Sequence, residues 1–201
     1  MNKKISALLA TTLAAIAPLA GAANIAAGAA VNTTGPGFGN SEGWCCAAPA
    51  AAATVTDGLT LPTGQQWNIG TVFWGGDNKD SADTITITLA GAASVSSLFL
   101  QADNNDTYAV SYLGLDHAWH DLASIQPNSD SSWGLGDNTA SFAAVTATAF
   151  EIQASGDGAY SVAEFRADGT FLPAVPEPTS GLMILGGLAA LASVARRRAA
   201  R

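Results

Sequence analysis

Basic residues are scarce where they would matter most. Of the 8 lysines and arginines in the 201-residue chain, Lys3, Lys4, Arg196, Arg197, Arg198 and Arg201 lie at the two ends. Only Lys79 and Arg166 fall inside, so residues 24–175 hold 15 acids against 2 bases, a formal charge of −13. Binding to nucleic acid depends on neutralising phosphates with lysine and arginine, so this composition excludes nucleic acid as a partner. Cysteine is nearly absent too. Cys45 and Cys46 are the only two, and they are adjacent, which excludes a disulfide-built scaffold. A bond between neighbours would close a strained eight-membered ring. An intermolecular bond or two free thiols are the other outcomes.

Catalytic signatures are missing as well. No Gly-x-Ser-x-Gly elbow occurs despite many serines. The two histidines, His117 and His120, have no third histidine or cysteine near them to complete a tetrahedral zinc set. Paired-carboxylate hydrolysis needs two acids at a fixed separation across a cleft, and spacing along a chain does not supply that. The chain therefore reads as non-catalytic.

What is present is concentrated first at the ends. Lys3 and Lys4 precede an apolar stretch, residues 5–17, and then Ala20-Gly21-Ala22. A positive start, an apolar run and small residues at the cleavage positions make a secretory signal peptide. It covers residues 1–23, with cleavage by signal peptidase after Ala22 or Ala23. At the other end, residues 179–195 are uncharged and stop at Arg196-Arg197-Arg198. About 17 apolar residues approach the ~20 a spanning helix needs. Arginines stay on the cytoplasmic side, so the acidic portion lies outside.

Pro176-Glu177-Pro178, that apolar span and the arginine cluster follow one another in residues 173–201. This order resembles the PEP-CTERM sorting signal. The resemblance implies recognition of Pro176, Glu177 and Pro178 by exosortase, a membrane transpeptidase. It further implies transient membrane anchoring, then delivery to the cell surface, outer membrane or extracellular matrix of a Gram-negative bacterium. Two prolines keep the motif extended and poor in donors, suited to a recognition groove.

Between the tags, residues 24–53 are rich in Ala, Gly, Asn and Thr and read as an irregular lead-in. From residue 54 to 172 the pattern is that of strands. Thr84-Ile85-Thr86-Ile87-Thr88-Leu89 alternates strictly, which buries one face and wets the other. Further strands are expected over 66–74, 95–101, 107–113, 118–125, 144–153 and 159–167. Turn chemistry fills the gaps, notably Asp103-Asn104-Asn105-Asp106 and Gly156-Asp157-Gly158. Short strands with polar turns and no amphipathic helix predict an all-β jelly-roll β-sandwich. Trp67, Trp74 and Trp119 sit in strand-like contexts and are expected in the core. Trp44 and Trp133 lie in loops, and Trp133 is the candidate ligand contact because an exposed indole stacks on a sugar face.

The order Asp57-Gly58, Trp67, Asp116-His117-Ala118-Trp119 and Val162-Ala163-Glu164 across residues 54–168 resembles the galactose-binding-like domains of the discoidin and coagulation-factor type C group. Their turn usually has glycine where this chain has His117. The resemblance implies a jelly roll, association with extracellular polysaccharide, and a structural calcium held by Asp57 and Glu164. Calcium takes six to eight oxygens. The expected function is thus that of a non-catalytic surface or matrix protein. The alternatives are a secreted carbohydrate-active enzyme and a purely structural matrix protein without a ligand.

Removing residues 179–201 is expected to release the protein into the periplasm or medium. Fractionation that finds it still retained in the membrane would defeat the sorting assignment.

Overall fold

Alternation in residues 84–89 sets the pattern for the whole sheet. In the computed structural model, described here for residues 22–38, 48–75, 83–128 and 133–173, Ile85, Ile87 and Leu89 are buried while the threonines between them stay at least partly exposed. Period-two sequences form strands because successive side chains point to opposite faces. Among the described residues the strands are β1 (Ala23–Asn24), β2 (Ala30–Thr34), β3 (Val72–Gly75), β4 (Thr84–Asp103), β5 (Thr107–Leu113), β6 (Trp119–Ile125), β7 (Leu135–Ser155) and β8 (Ala159–Phe171). All pairings are antiparallel.

The order is β1-β8-β4-β7-β5-β6, with β2 added to β4 and β3 added to β8. Two long strands make this one hydrogen-bonded sheet into two layers. The first part of β4 pairs with β2 and with the last part of β7, which continues to β5 and β6. The second part of β4 pairs with β8 and with the first part of β7. Register shifts between Thr88 and Ala93, and between Val95 and Ser97, mark where β4 changes layer. Bulges of this kind bend a strand and let it turn a sandwich corner. The inner faces meet in one core: Phe150 on β7 lies 5.3 Å from Phe165 on β8, ring to ring. Trp74 is fully buried against Tyr160 and Tyr108.

The all-β sandwich expected from the sequence is therefore present, but several details differ. Residues 24–53, expected to be an irregular lead-in, contribute β1 and β2 to the sheet. Their low hydropathy contrast hid the strands, because β2 is an edge strand with only partial burial. The segments 84–89 and 95–101 belong to one strand of 20 residues. Of residues 66–74, only Val72 onwards is strand, and Trp67 lies in a turn. Trp119, expected in the core, is exposed at the start of β6. Among the described residues no helix is long and apolar enough to cross a membrane. The expected spanning segment 179–195, the arginine cluster, residues 1–21 of the signal peptide, Cys45, Cys46 and Trp44 lie outside the described residues.

The chain divides into two compact units, Met1–Phe171 and Leu172–Arg201. β8 is the last strand of the first. Its final residues also receive β1, with Ala23 opposite Gly169 and Asn24 opposite Asp168. The Asn24 side-chain oxygen accepts the N–H groups of Ala26 and Ala167, each at 3.1 Å, and pins this start of the sheet.

The loop between β5 and β6 explains the departure at residue 117. His117 has φ of 60°, alone among the described non-glycine residues in being positive. That left-handed region favours glycine and costs other residues energy. His117→Gly is expected to stabilise the domain by about 0.5–1 kcal/mol, measured as a raised Tm. An unchanged or lowered Tm would contradict the strain assigned to this residue.

Candidate functional site

Three turns and one overlying coil converge at one end of the sandwich. The turn between β4 and β5 brings Asp103 and Asn105. The turn between β7 and β8 brings Asp157 and then Ala159. The residues entering β7 bring Trp133 and Gly134, and the coil ahead of β3 brings Gln66 and Trp67. Together they line a cavity of about 420 Å³.

Close backbone approach builds it. Gly134 has φ of 87°, and a Cβ there would sit 2.5 Å from the Gln65 carbonyl oxygen. Only glycine accommodates both demands. Its carbonyl accepts the Asn104 N–H at 3.0 Å, and the next N–H, of Leu135, donates to Gln65 at 2.8 Å. Trp133 is thereby held at the mouth, 58% exposed. Trp67 is buried, packed edge-on against Phe73 at 5.8 Å.

The two acidic turns are tied to each other. Asn105 Nδ2 donates to Asp157 Oδ2 at 2.7 Å, and the Asp157 N–H donates to Asp106 Oδ1 at 3.1 Å. Gly156 lets Asp106 approach, since a Cβ there would collide with the same carboxylate oxygen. Asp103 and Asp106 are both buried. Burial pushes the Asp103 carboxyl from an ordinary 3.8 up to about 7, against the pull of the Asn104 and Asn105 N–H groups. It pushes Asp106 up to about 8, and the neighbouring Asp157 and Asp103 charges add to the rise. Asp106 Oδ2 has no hydrogen-bond partner among the described residues, an arrangement better tolerated by a protonated acid than by a buried anion.

The pair expected to hold calcium lies elsewhere, on the outer face of β4 and β8. Asp57 is exposed, and its carboxylate accepts the Leu59 N–H at 2.8 Å. Glu164 is fully buried. Its Oε1 accepts Arg166 Nε at 3.0 Å and its Oε2 accepts the Gly58 N–H at 3.2 Å. Arg166 Nη2 donates to the Gly58 carbonyl at 3.0 Å. Both Glu164 oxygens and the Gly58 carbonyl already receive an N–H, so Arg166 places a positive charge beside Glu164, where calcium was expected. Among the described residues no group of three or more His, Cys, Asp or Glu side chains is arranged to hold a metal ion.

His120 Nε2 lies 2.9 Å from Asp116 Oδ2 and its ring stacks on Tyr112, a contact within the β5–β6 hairpin. Trp133, the ligand contact expected from the sequence, reaches the cavity, and Trp67, expected in the core, lines it as well. Asp103, Asn105 and Asp157 were legible in the sequence only as turn residues, and Gln66 as the start of an expected strand. The one hint was that two Asp-rich turns flank the same alternating strands.

Residues 174–199 match the PEP-CTERM protein-sorting motif. The chain is thus an exported, surface-directed protein that carries an exosortase sorting signal. No curated protein matches it in sequence. Among solved structures it is similar to SpGH29, at 17% identity and a TM-score of 0.45, over 74% of this chain and 28% of that one. It is also similar to chitosan-binding module 2 of a chitosanase/glucanase from Paenibacillus sp. IK-5, solved with chitotriose, at 18% identity and a TM-score of 0.48, covering 72% of this chain and 98% of the module. A third is the family 32 carbohydrate-binding module of Streptococcus pneumoniae EndoD, at 15% identity and a TM-score of 0.46, covering 72% and 98%.

The buried acids fix how stability responds to pH. Between about pH 4 and about pH 8 the folded state retains protons on Asp103 and Asp106 that the unfolded chain has lost, so stability falls as pH rises through that window. Glu164, raised by burial against the opposing Arg166, acts in the same direction. Asp106→Asn is expected to flatten the decline in melts from pH 5 to pH 8. A variant that keeps the wild-type slope would contradict the raised acid at this position.

Proposed function

We propose that the domain is a non-catalytic saccharide-binding module, exported and sorted to the surface, that associates with extracellular polysaccharide through the cavity at the Trp133 end. The observation that carries this reading is the pairing of an exposed indole with polar groups on rigid turns. Sugar rings present apolar C–H faces and polar edges. A tryptophan face meets the first, and Asn105, Gln66, Asp103 and Asp157 meet the second, in the manner of pockets that combine aromatic walls with a few placed polar groups. Their backbones are anchored by the Gly134–Asn104, Leu135–Gln65 and Asp157–Asp106 hydrogen bonds. Such anchoring limits the ordering cost of binding. The galactose-binding-like resemblance in residues 54–168 supports the same assignment.

In this reading the exosortase and signal peptidase are processing partners, the membrane is a transient one, and the saccharide is the lasting one. Calcium enters as a question about fold integrity rather than recognition, because Asp57 and Glu164 do not line the cavity.

Trp133→Ala is expected to weaken saccharide binding at least tenfold on a glycan array and in affinity electrophoresis, with the domain still folded and melting cooperatively. Arrays run with and without chelator should agree. Retained binding in Trp133→Ala would move the site elsewhere. No binding of any glycan by the wild type would favour the purely structural matrix protein. A hydrolysed glycan would favour the enzyme.

A further inference from the structure

We infer that this cavity selects an amine-bearing sugar, one with a protonated amino group on its ring, over neutral, N-acylated and acidic saccharides. The inference rests on the saccharide reading above and names its substrate class.

Charge within the lining is of one sign. Among the described residues Asp103 and Asp157 are its ionisable side chains, and no lysine, arginine or histidine joins them. Asp106 stands directly behind, bonded through Oδ1 to the Asp157 N–H. Its other oxygen is buried and without a partner among the described residues. Raised to about 8, this third carboxyl is largely protonated at pH 7 and leaves the charge of the lining to Asp103 and Asp157.

Among the described residues no cation answers these acids. The described residues include a single lysine or arginine, Arg166, against 11 aspartates and glutamates. Its guanidinium is committed to Glu164 and Gly58 and lies over the Phe99 ring, 4.9 Å from the centroid. A concave site lined by one sign of charge, with low-dielectric walls, concentrates ligands of the other sign.

The acceptors suit an ammonium group in number as well as in charge. An ionised carboxylate offers about four lone-pair sites. Asp157 uses one on the Ala159 N–H at 2.9 Å and one on Asn105 Nδ2 at 2.7 Å. The remaining capacity accepts from a protonated amine, which has three N–H donors and no acceptor. Trp133 beside these acids adds a π face, which attracts cations as well as C–H groups. N-acylation removes the charge, and a carboxylated sugar meets like-charge repulsion.

A second consequence follows from Asp103. An ammonium group placed beside it favours its ionised form. Asp103 is raised to about 7 in the free protein, so binding near neutral pH must release part of a proton from it.

The test is titration calorimetry on the full chain at low salt and pH 7. The ligands are a glucosamine oligosaccharide, its N-acetylated counterpart of equal length, and a uronic-acid oligosaccharide. The amine-bearing ligand should bind at least tenfold more tightly than the other two and weaken with added salt. Its apparent heat should change between buffers of different ionisation enthalpy, reporting proton release. Asp157→Asn should remove most of the preference while N-acetylated ligand binding is retained. Equal binding of the amine and N-acetylated ligands, both lost in Trp133→Ala, overturns amine selection and leaves the saccharide reading intact. Tighter binding of the uronic-acid ligand also overturns it. If none of the three binds, amine selection falls, and the glycan array decides the saccharide reading.

Discussion

A buried polar patch on the outer face of β4 and β8 holds the rest of the structure in place. Cross-strand register sets Gln101 opposite Glu164 and Phe99 opposite Arg166. Because alternate residues share a face, these four lie together, while Leu98, Leu100, Phe165 and Ala167 fill the interior. Such a face cannot be left uncovered and apolar, nor covered and unpaired. The coil after Asp57 solves both problems. Gln101 exchanges two hydrogen bonds with the Leu61 backbone, at 2.8 and 2.9 Å, and Gly58 is gripped by the Glu164–Arg166 pair. A buried ion pair adds little net stability compared with apolar packing. Its worth here is registration, since it determines where a chain segment without regular structure must lie.

That registration reaches the cavity. The same coil runs on to Gln65, Gln66 and Trp67, and its Gly64 and Gln65 backbones bond to Leu135 at the start of β7. The indole of Trp133 and the acids of the two turns therefore face a wall whose position is fixed by polar contacts on a different strand pair. The two acidic turns are themselves cross-linked through Asn105, Asp157 and Asp106. The cavity is assembled from loops, yet each is braced by backbone hydrogen bonds rather than by long side chains.

Much of the fold was legible in the residues. The Thr-Ile alternation of 84–89 gave a strand with the correct face inward, and the Asp-Asn-Asn-Asp and Gly-Asp-Gly runs marked true turns. The errors have physical causes. β2 is a weak alternation of small and hydroxyl residues, and its place in the sheet comes from pairing with β4. The bend in β4 at residues 89–92 reads like a loop because glycine and alanine there leave the register, yet the strand continues. Trp119 follows an alternating pattern but starts an edge strand with nothing over it. For the site, composition identified an exposed indole at Trp133. It could not reveal that residues 103–106 and 157 meet beside it, because that meeting is a property of antiparallel return, not of local sequence. Asp57 and Glu164 do come near one another, as the family resemblance implied, but Arg166, two residues along the same strand face, supplies the positive charge.

β8 begins at Ala159 on the cavity wall and ends at Phe171, where β1 also joins it. Its 13 residues, at ~3.3 Å each, span on the order of 40 Å. Both leads of the sheet, into Ala23 and out of Phe171, thus lie at one pole, and the cavity opens at the other. Severing or exchanging either lead disturbs no strand that shapes the cavity. What the chain carries beyond either lead can therefore change without altering the shape of the cavity.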